Sequence, residues 1–264
     1  MSNCFDHIWC RELLHLVLCG WIERKYEEFR AQCPPEQDAD IVSKSILQQR
    51  LCSGFWFAHL INRIVWICTA DLSEKLPPEC DVETTPDLQE SLGAFRTEIE
   101  ILFQYHAELK DRAVYHVSFD NAFSHLDMEG MLLLLGQRHT PSSLRSIQGV
   151  PPPLSLLLEA ATKPYHLGHI LHMCGRALCK HAARSSDSWW ETPNGNDSQK
   201  NSIAIAVLNS ILTKKTWWNT FSHYHWGVVF EVRVASGHGV RWSDDGRRFI
   251  GFLEPFTDSI QDRI

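Results

Sequence analysis

Apolar residues recur at helical spacing through most of the first half of the chain. Residues 4–30 read as one amphipathic helix, and residues 41–70 as a second helix that is apolar on most of its sides. A third apolar stripe of helical period runs from about residue 86 to residue 110. Residues 76–85 are rich in proline and acidic residues and are expected to form a loop. Three helices joined by short connections predict an antiparallel N-terminal helical bundle.

The pattern is less regular between residues 114 and 149, and Pro151-Pro152-Pro153 follows it. The three prolines are the best boundary signal in the chain. They predict a helical bundle domain over 1–149 and a second domain over 150–264, with a single continuous globule as the alternative. In the second half, a helical pattern begins near residue 154, breaks at Lys163-Pro164 and is expected to resume over 166–183.

A further helix is predicted over residues 198–212, and β-strands follow it. From 228 to 234 the apolar and polar residues alternate as in a half-buried strand, and β-branched residues are frequent. Short strands are expected over 240–242 and 248–253, joined by the turn Asp244-Asp245-Gly246. The three strands predict an antiparallel meander. The fold class is therefore expected to be α+β: mostly helical, with an N-terminal bundle followed by helices packed on a small antiparallel β-meander.

Composition limits the classes of protein that this chain can represent. The formal net charge of −7 argues against attraction to nucleic acid by the chain as a whole, although a local basic patch can still bind phosphate. The nine cysteines form no CxxC pair, which favours reduced thiols and a cytoplasmic or nuclear location. The first residues lack the pattern of a secretory signal, and polar residues interrupt every apolar run, so no membrane association is expected.

A basic stripe is predicted on the helix that ends near residue 184. Arg176, Lys180 and Arg184 are spaced i, i+4 and i+8, so they share one helix face. Ser185 and Ser186 follow directly, where the helix is expected to end. Arginine and lysine in this arrangement can hold a phosphate or another anion. The alternative is an ordinary solvated helix face.

The predicted meander carries Glu231, Arg233, Arg241 and Glu254. These charges form cross-strand ion pairs on a wet sheet face, or they converge on a ligand. If the site performs chemistry, His181 or His238 is expected to act with Glu231 as the acid–base pair, because imidazole titrates near neutrality.

Metal and aromatic alternatives compete with this hypothesis. The segment 166–181 is rich in histidine and cysteine, which allows a zinc-stabilised module, but it lacks an HExxH element. We therefore assign no metal ligand, and the sequence leaves the identity of any cofactor unknown. The ten tryptophans include the pairs Trp189-Trp190 and Trp217-Trp218. They can stack on nucleic-acid bases or pack in the core, and packing is the preferred interpretation.

Several spaced motifs of the last third resemble a family of intracellular proteins that has no assigned activity. The family pattern reads GRAxxKHxxRSS, a glycine and KN step, E(I/V)RV, GYGxRW and FxGFLEP. The positions that match are Gly175, Arg176, Lys180, His181, Arg184, Ser185, Ser186, Lys200, Asn201, Glu231, Arg233, Gly237, Gly239, Arg241, Trp242, Gly251 and Glu254. His238 stands where the pattern has tyrosine, and the pattern continues beyond Ile264 with an acidic, histidine-containing tail. If that tail completes a site, we expect this chain either to be inactive or to work only as a binder.

The leading hypothesis is a C-terminal basic cleft that binds, and turns over, a phosphorylated or anionic ligand such as a nucleotide or an RNA end. The expected ligand-binding residues are Arg176, Lys180, Arg184, Ser185, Ser186, Arg233, Arg241, Trp242 and Glu254. The competing class is a non-catalytic interaction or scaffold protein that recruits protein partners through its N-terminal helices. The two hypotheses differ in geometry, because only the first requires a concave basic pocket with a histidine on its wall.

Overall fold

The computed structural model describes residues 8–32, 43–52, 54–73, 76–77, 80–104, 112–184 and 189–256. The chain divides into two compact units. The first comprises residues 1–74, 85–137 and 144–150, and the second comprises residues 75–84, 138–143 and 151–264. The elements are α1 (Ile8–Gln32), α2 (Lys44–Leu51), α3 (Gly54–Thr69), α4 (Leu88–Gln104), α5 (Arg112–Ser124), α6 (Met128–Leu134), α7 (Leu154–Thr162), α8 (Met173–Arg184), α9 (Asp197–Thr213), β1 (Lys215–His223), β2 (Gly227–Val234), β3 (Gly239–Ser243) and β4 (Phe249–Leu253).

The first unit is helical, as the apolar periodicity predicts. Helix α5 packs against α1 and α4, and α6 packs against α3 and α4. Trp21, Trp56, Phe95 and Tyr115 are almost completely buried, so large side chains from four helices build its core.

Two expectations for the first unit are corrected. The single helix predicted over 41–70 is two helices, because α2 ends at the C-cap Cys52 and Gly54 adopts a positive φ of 55°. The irregular stretch predicted over 114–149 contains α5 and α6. Asp127 caps α6 by accepting a hydrogen bond from the Gly130 amide at 2.7 Å, and aspartate at this position is a common helix start signal.

The second unit contains a four-stranded antiparallel sheet in the order β1-β2-β3-β4. Helix α9 packs on β2 and β3, and α8 packs on β4 and α9. The predicted three-stranded meander is therefore incomplete, because β1 precedes it. Trp217, Trp218, Asn219 and Thr220 of β1 are all buried, so this strand lacks the polar–apolar alternation that identifies a half-buried strand.

The helix expected over 166–183 begins only at Met173. The preceding residues form a loop that is closed by backbone hydrogen bonds from Met173 to Lys163 and from Tyr165 to Leu171. Asn201 of α9 fixes this loop, because its side chain accepts from the His172 amide and donates to the Ile170 carbonyl, both at 2.8 Å. A side chain from another element therefore decides the conformation of the loop.

The predicted α+β class is confirmed by helices followed by a small antiparallel sheet. In the described parts of the chain, no single helix has the length and apolar character needed to cross a membrane. The bent pair α2 and α3 meets those two criteria jointly. The domain boundary expected at residues 149 and 150 stays a prediction.

Candidate functional site

A cavity of about 820 Å³ opens between α8, the loop before it and the strands β3 and β4 of the second unit. Its volume lies in the range of ligand-binding pockets, about 300–1,000 Å³. The lining residues are Tyr165, Met173, Arg176, Ala177, Lys180, His181, Arg184, Trp226, Arg241, Phe249, Ile250, Gly251, Phe252, Leu253, Glu254 and Pro255. Four cations and one carboxylate stand among them, in a protein whose formal net charge is −7.

Helix α8 supplies three of the cations, Arg176, Lys180 and Arg184. They lie on the wall of the cavity because Cys174 and Leu178 on another face of the helix are buried in the unit's interior. The guanidinium of Arg176 lies 3.8 Å from the centroid of the Tyr165 ring, a cation–π contact that fixes its orientation. The basic stripe predicted from the i, i+4, i+8 spacing thus faces a concave surface.

His181 lies on the same wall and contacts a carboxylate. Its Nδ1 is 2.9 Å from Glu254 Oε1. The Nε1 of the buried Trp190 donates to both oxygens of Glu254, at 2.9 and 3.0 Å. The tryptophan therefore fixes the carboxylate, and the carboxylate in turn orients the imidazole. Such a pair leaves Nε2 as the ring nitrogen that can exchange a proton with a substrate.

The expected pairing of a histidine with Glu231 is not what the structure contains. Glu231 is 1 % exposed and binds two arginines. Its Oε1 accepts from Arg233 Nε at 2.5 Å, and its Oε2 accepts from Arg241 Nε at 2.8 Å. Arg233 also donates to the carbonyls of Gly237 and Glu254, at 2.5 and 2.7 Å. Glu231 and Arg233 lie outside the cavity lining. Arg241 lines the cavity, and the carboxylate of Glu231 balances its positive charge.

Two other expected site residues lie in the interior of the second unit. His238 is 3 % exposed, stacks on Trp189 with ring centroids 4.1 Å apart, and has its Nδ1 3.0 Å from Ser236 Oγ. Its Nε2 lies 3.8 Å from Glu254 Oε2, and His238 itself lies outside the cavity lining. Trp242 is fully buried and donates to the Leu157 carbonyl at 3.0 Å. The expected role of Trp242 in ligand contact is therefore not supported by its position.

The remaining expectations concern serines, metals and tryptophans. Ser185 and Ser186 lie outside the described residues. In the described ranges, the histidines and cysteines of 166–181 form no group of three within ligating distance of one another.

Burial raises the pKa of the Cys174 thiol to about 11, so this thiol stays protonated at neutral pH and is no nucleophile. Trp217 and Trp218 are buried, in agreement with the packing interpretation.

Two aromatic residues of the cavity, Tyr165 and Trp226, were not predicted from the sequence. Trp226, in the turn between β1 and β2, is 44 % exposed, and the Arg248 guanidinium lies 5.4 Å from its ring centroid. A tryptophan in a turn is a signal that the sequence contains, because aromatic residues outside the apolar pattern of helices and strands are candidates for contacts with a ligand.

The second unit contains a segment that is similar to a known protein family. Residues 158–254 match a family described as the CdiA C-terminal tRNase toxin domain. No curated protein and no solved structure gives a match. The matched segment is a little over a third of the chain, and it runs from within α7 to the residue after β4. It contains the basic stripe of α8, His181, Trp226 and Glu254, and every lining residue of the cavity except Pro255 lies within it.

Proposed function

We propose that the second unit binds RNA by its sugar–phosphate backbone and cleaves a phosphodiester bond held in the basic cavity. The observation that carries the proposal is the position of the His181–Glu254 pair on the same wall as three α8 cations. The similarity of residues 158–254 to a tRNase toxin domain supports RNA as the polymer. The cytoplasmic or nuclear location expected from the cysteines belongs to the same proposal.

The α8 cations are arranged to bind a phosphate backbone rather than one phosphate group. Arg176 and Arg184 are eight residues apart, about 12 Å along a helix that rises 1.5 Å per residue. Lys180 stands midway between them on the same face. Arginine offers forked donors to phosphate oxygens, and the stacking of Arg176 on Tyr165 limits the rotamer entropy lost on binding. Successive phosphates of a strand can therefore each meet a cation.

The chemistry follows from the orientation of His181. Its Nε2 takes the proton of a ribose 2′-hydroxyl while Glu254 stabilises the resulting imidazolium through Nδ1. The 2′-oxygen forms a bond to the adjacent phosphorus, and the bond from phosphorus to the 5′-oxygen breaks. The leaving oxygen takes a proton from Lys180 or from water. The products are a 2′,3′-cyclic phosphate and a 5′-hydroxyl end, and the cations stabilise the negative charge on the phosphoryl oxygens.

Trp226 and Tyr165 supply apolar surface for the bases beside the reacting phosphate. Both rings belong to the cavity lining, and aromatic side chains in a basic groove stack on the bases of single-stranded nucleic acid. Stacking contacts tolerate any base, because every base has a π face. We therefore expect recognition of an unpaired region of RNA.

The test is cleavage of purified tRNA by the full chain and by its His181→Gln variant. Loss of a general base lowers the rate by about 10²- to 10⁴-fold, and the variant should still bind the RNA. His116→Gln is the matched control, since His116 is an exposed helical histidine of the first unit and lies outside the cavity lining. A substrate with 2′-deoxyribose at the cleaved position should resist the parent protein. Equal cleavage rates for the parent and His181→Gln, or no cleavage of RNA by either, would overturn the proposal.

A further inference from the structure

A second group of chemically reactive side chains lies in the first unit, apart from the proposed RNA site. His15 Nδ1 is 3.8 Å from Cys19 Sγ, and Cys19 Sγ is 3.4 Å from Cys52 Sγ. The three ligand atoms all lie within 4.8 Å of one another. In the described ranges, no other set of three histidine, cysteine or acidic side chains is gathered this closely.

The distances fit ligation of one tetrahedral ion better than a disulfide. Zinc–sulfur bonds of about 2.3 Å at a tetrahedral angle place two sulfurs ~3.8 Å apart and a sulfur and a nitrogen ~3.6 Å apart. The observed separations of 3.4 and 3.8 Å lie within about 0.4 Å of those values. A disulfide requires ~2.05 Å between the sulfurs, which is much shorter than the spacing found here.

Local structure explains how this geometry forms. His15 and Cys19 are four residues apart on α1 and therefore point to the same side of the helix. Cys52 is the C-cap of α2, where its amide donates to the Gln48 carbonyl at 2.8 Å. The His15 ring meets Phe57 of α3 edge-on, with centroids 5.6 Å apart, which restricts the imidazole. The group thus joins α1 to the corner at which the chain passes from α2 to α3.

From this geometry we infer that His15, Cys19 and Cys52 bind one zinc ion. Each thiol transfers its proton to solvent on binding, so the ion is held by two thiolates and one neutral imidazole. Three protein ligands leave the fourth tetrahedral position to water. A pocket of about 520 Å³ lined by Arg11, Glu12, His15, Leu16 and Phe57 gives water access beside His15. The ion fastens α1 to the α2–α3 corner and stabilises the first unit.

The experiment uses the full chain with any affinity tag removed, reduced and stripped by a chelator. Zinc is then titrated in competition with a chromophoric chelator, and cobalt is titrated to detect thiolate-to-metal charge-transfer absorption. The parent should bind one equivalent of either ion, and zinc should raise its Tm. Cys19→Ser and Cys52→Ser should each weaken the cobalt charge-transfer band, because each removes one of the two thiolates. His15→Ala should bind at least about tenfold more weakly, since even residues that only orient metal ligands contribute 10- to 100-fold.

Cys80→Ser is the matched control, because Cys80 is also a half-buried thiol and belongs to the second unit. It should bind the ion as the parent does. His15→Ala keeps both thiols, so it tests the site even if a cysteine variant fails to fold. Absence of stoichiometric binding by the parent overturns the inference. So does equal loss in Cys80→Ser, or a Cys19–Cys52 disulfide recovered from protein kept in excess zinc.

Discussion

Glu231 balances two arginines inside the second unit, and its replacement by glutamine tests how far that unit depends on the charge. The carboxylate is 1 % exposed, and the side chains of Arg233 and Arg241 are 5 % and 14 % exposed. Glutamine keeps the size of the side chain and one acceptor oxygen, but it removes the negative charge. The substitution therefore leaves two guanidinium groups without their counter-charge at little cost in packing.

The size of the effect follows from burial and from the remaining partners. Removing one partner of a buried ion pair costs about 3–5 kcal/mol. Arg233 retains the carbonyls of Gly237 and Glu254, and Arg241 is the more exposed of the two arginines. These contacts favour the lower end of the range, so the substitution should lower the free energy of unfolding by about 3 kcal/mol. In a domain of this size, that loss corresponds to a Tm lower by roughly 10 °C.

The measurement is urea unfolding followed by tryptophan fluorescence, since Trp217, Trp218 and Trp242 are buried in this unit and report its unfolding. Glu159→Gln is the matched control. Glu159 lies in the same unit but is 64 % exposed and 3.7 Å from Lys163, so its replacement should change the free energy by less than about 0.5 kcal/mol. If the two substitutions lower the free energy of unfolding equally, the reasoning is refuted, because burial would then not determine how much an ion pair contributes to stability.

Three further substitutions test the contacts around the cavity. An alanine Cβ at Gly175 would lie 2.5 Å from Asn201 Oδ1, so Gly175→Ala should destabilise the second unit by about 1–3 kcal/mol in urea unfolding. Trp242→Phe removes the donor to the Leu157 carbonyl and should cost about 1–2 kcal/mol in the same assay. Trp226→Ala should leave stability within about 0.5 kcal/mol but weaken RNA binding by about 1–3 kcal/mol in fluorescence anisotropy. An unchanged free energy of unfolding in Gly175→Ala or Trp242→Phe, or an unchanged RNA affinity in Trp226→Ala, contradicts the contact concerned.

The parts of the site that regular periodicity specifies could be predicted from the sequence. Helical spacing placed Arg176, Lys180 and Arg184 on one face, and alternation identified the strand that became β2. The packing of α8 on β4 then placed His181 within 2.9 Å of Glu254, which lies 73 positions away in the chain. Spacing within one element contains no information about such a contact, which explains why Glu231 was predicted as the partner of the histidine.

The features that were missed depend on side chains from distant segments. Leu167 and Ile170 extend the apolar spacing of a helix, yet both are exposed in a loop that Asn201 fixes from α9. The His15, Cys19 and Cys52 group escaped notice because 33 residues separate the two cysteines. Metal-binding motifs are recognised by short spacings, so a site assembled by the packing of helices gives no such signal.

The most direct test of the proposed RNA site is the salt dependence of RNA binding to the His181→Gln protein, which should bind without cleaving. A single-stranded 2′-O-methyl RNA serves as a non-cleavable probe. The slope of log K against log salt should decrease by about 0.7 for each cation removed, so Arg176→Gln and Arg184→Gln together should lower it by roughly 1.4. Arg247→Gln, an exposed cation outside the cavity lining, should leave the slope unchanged. A slope that falls equally in the Arg247→Gln control, or that does not fall in the double variant, would contradict the binding of RNA phosphates in this cavity.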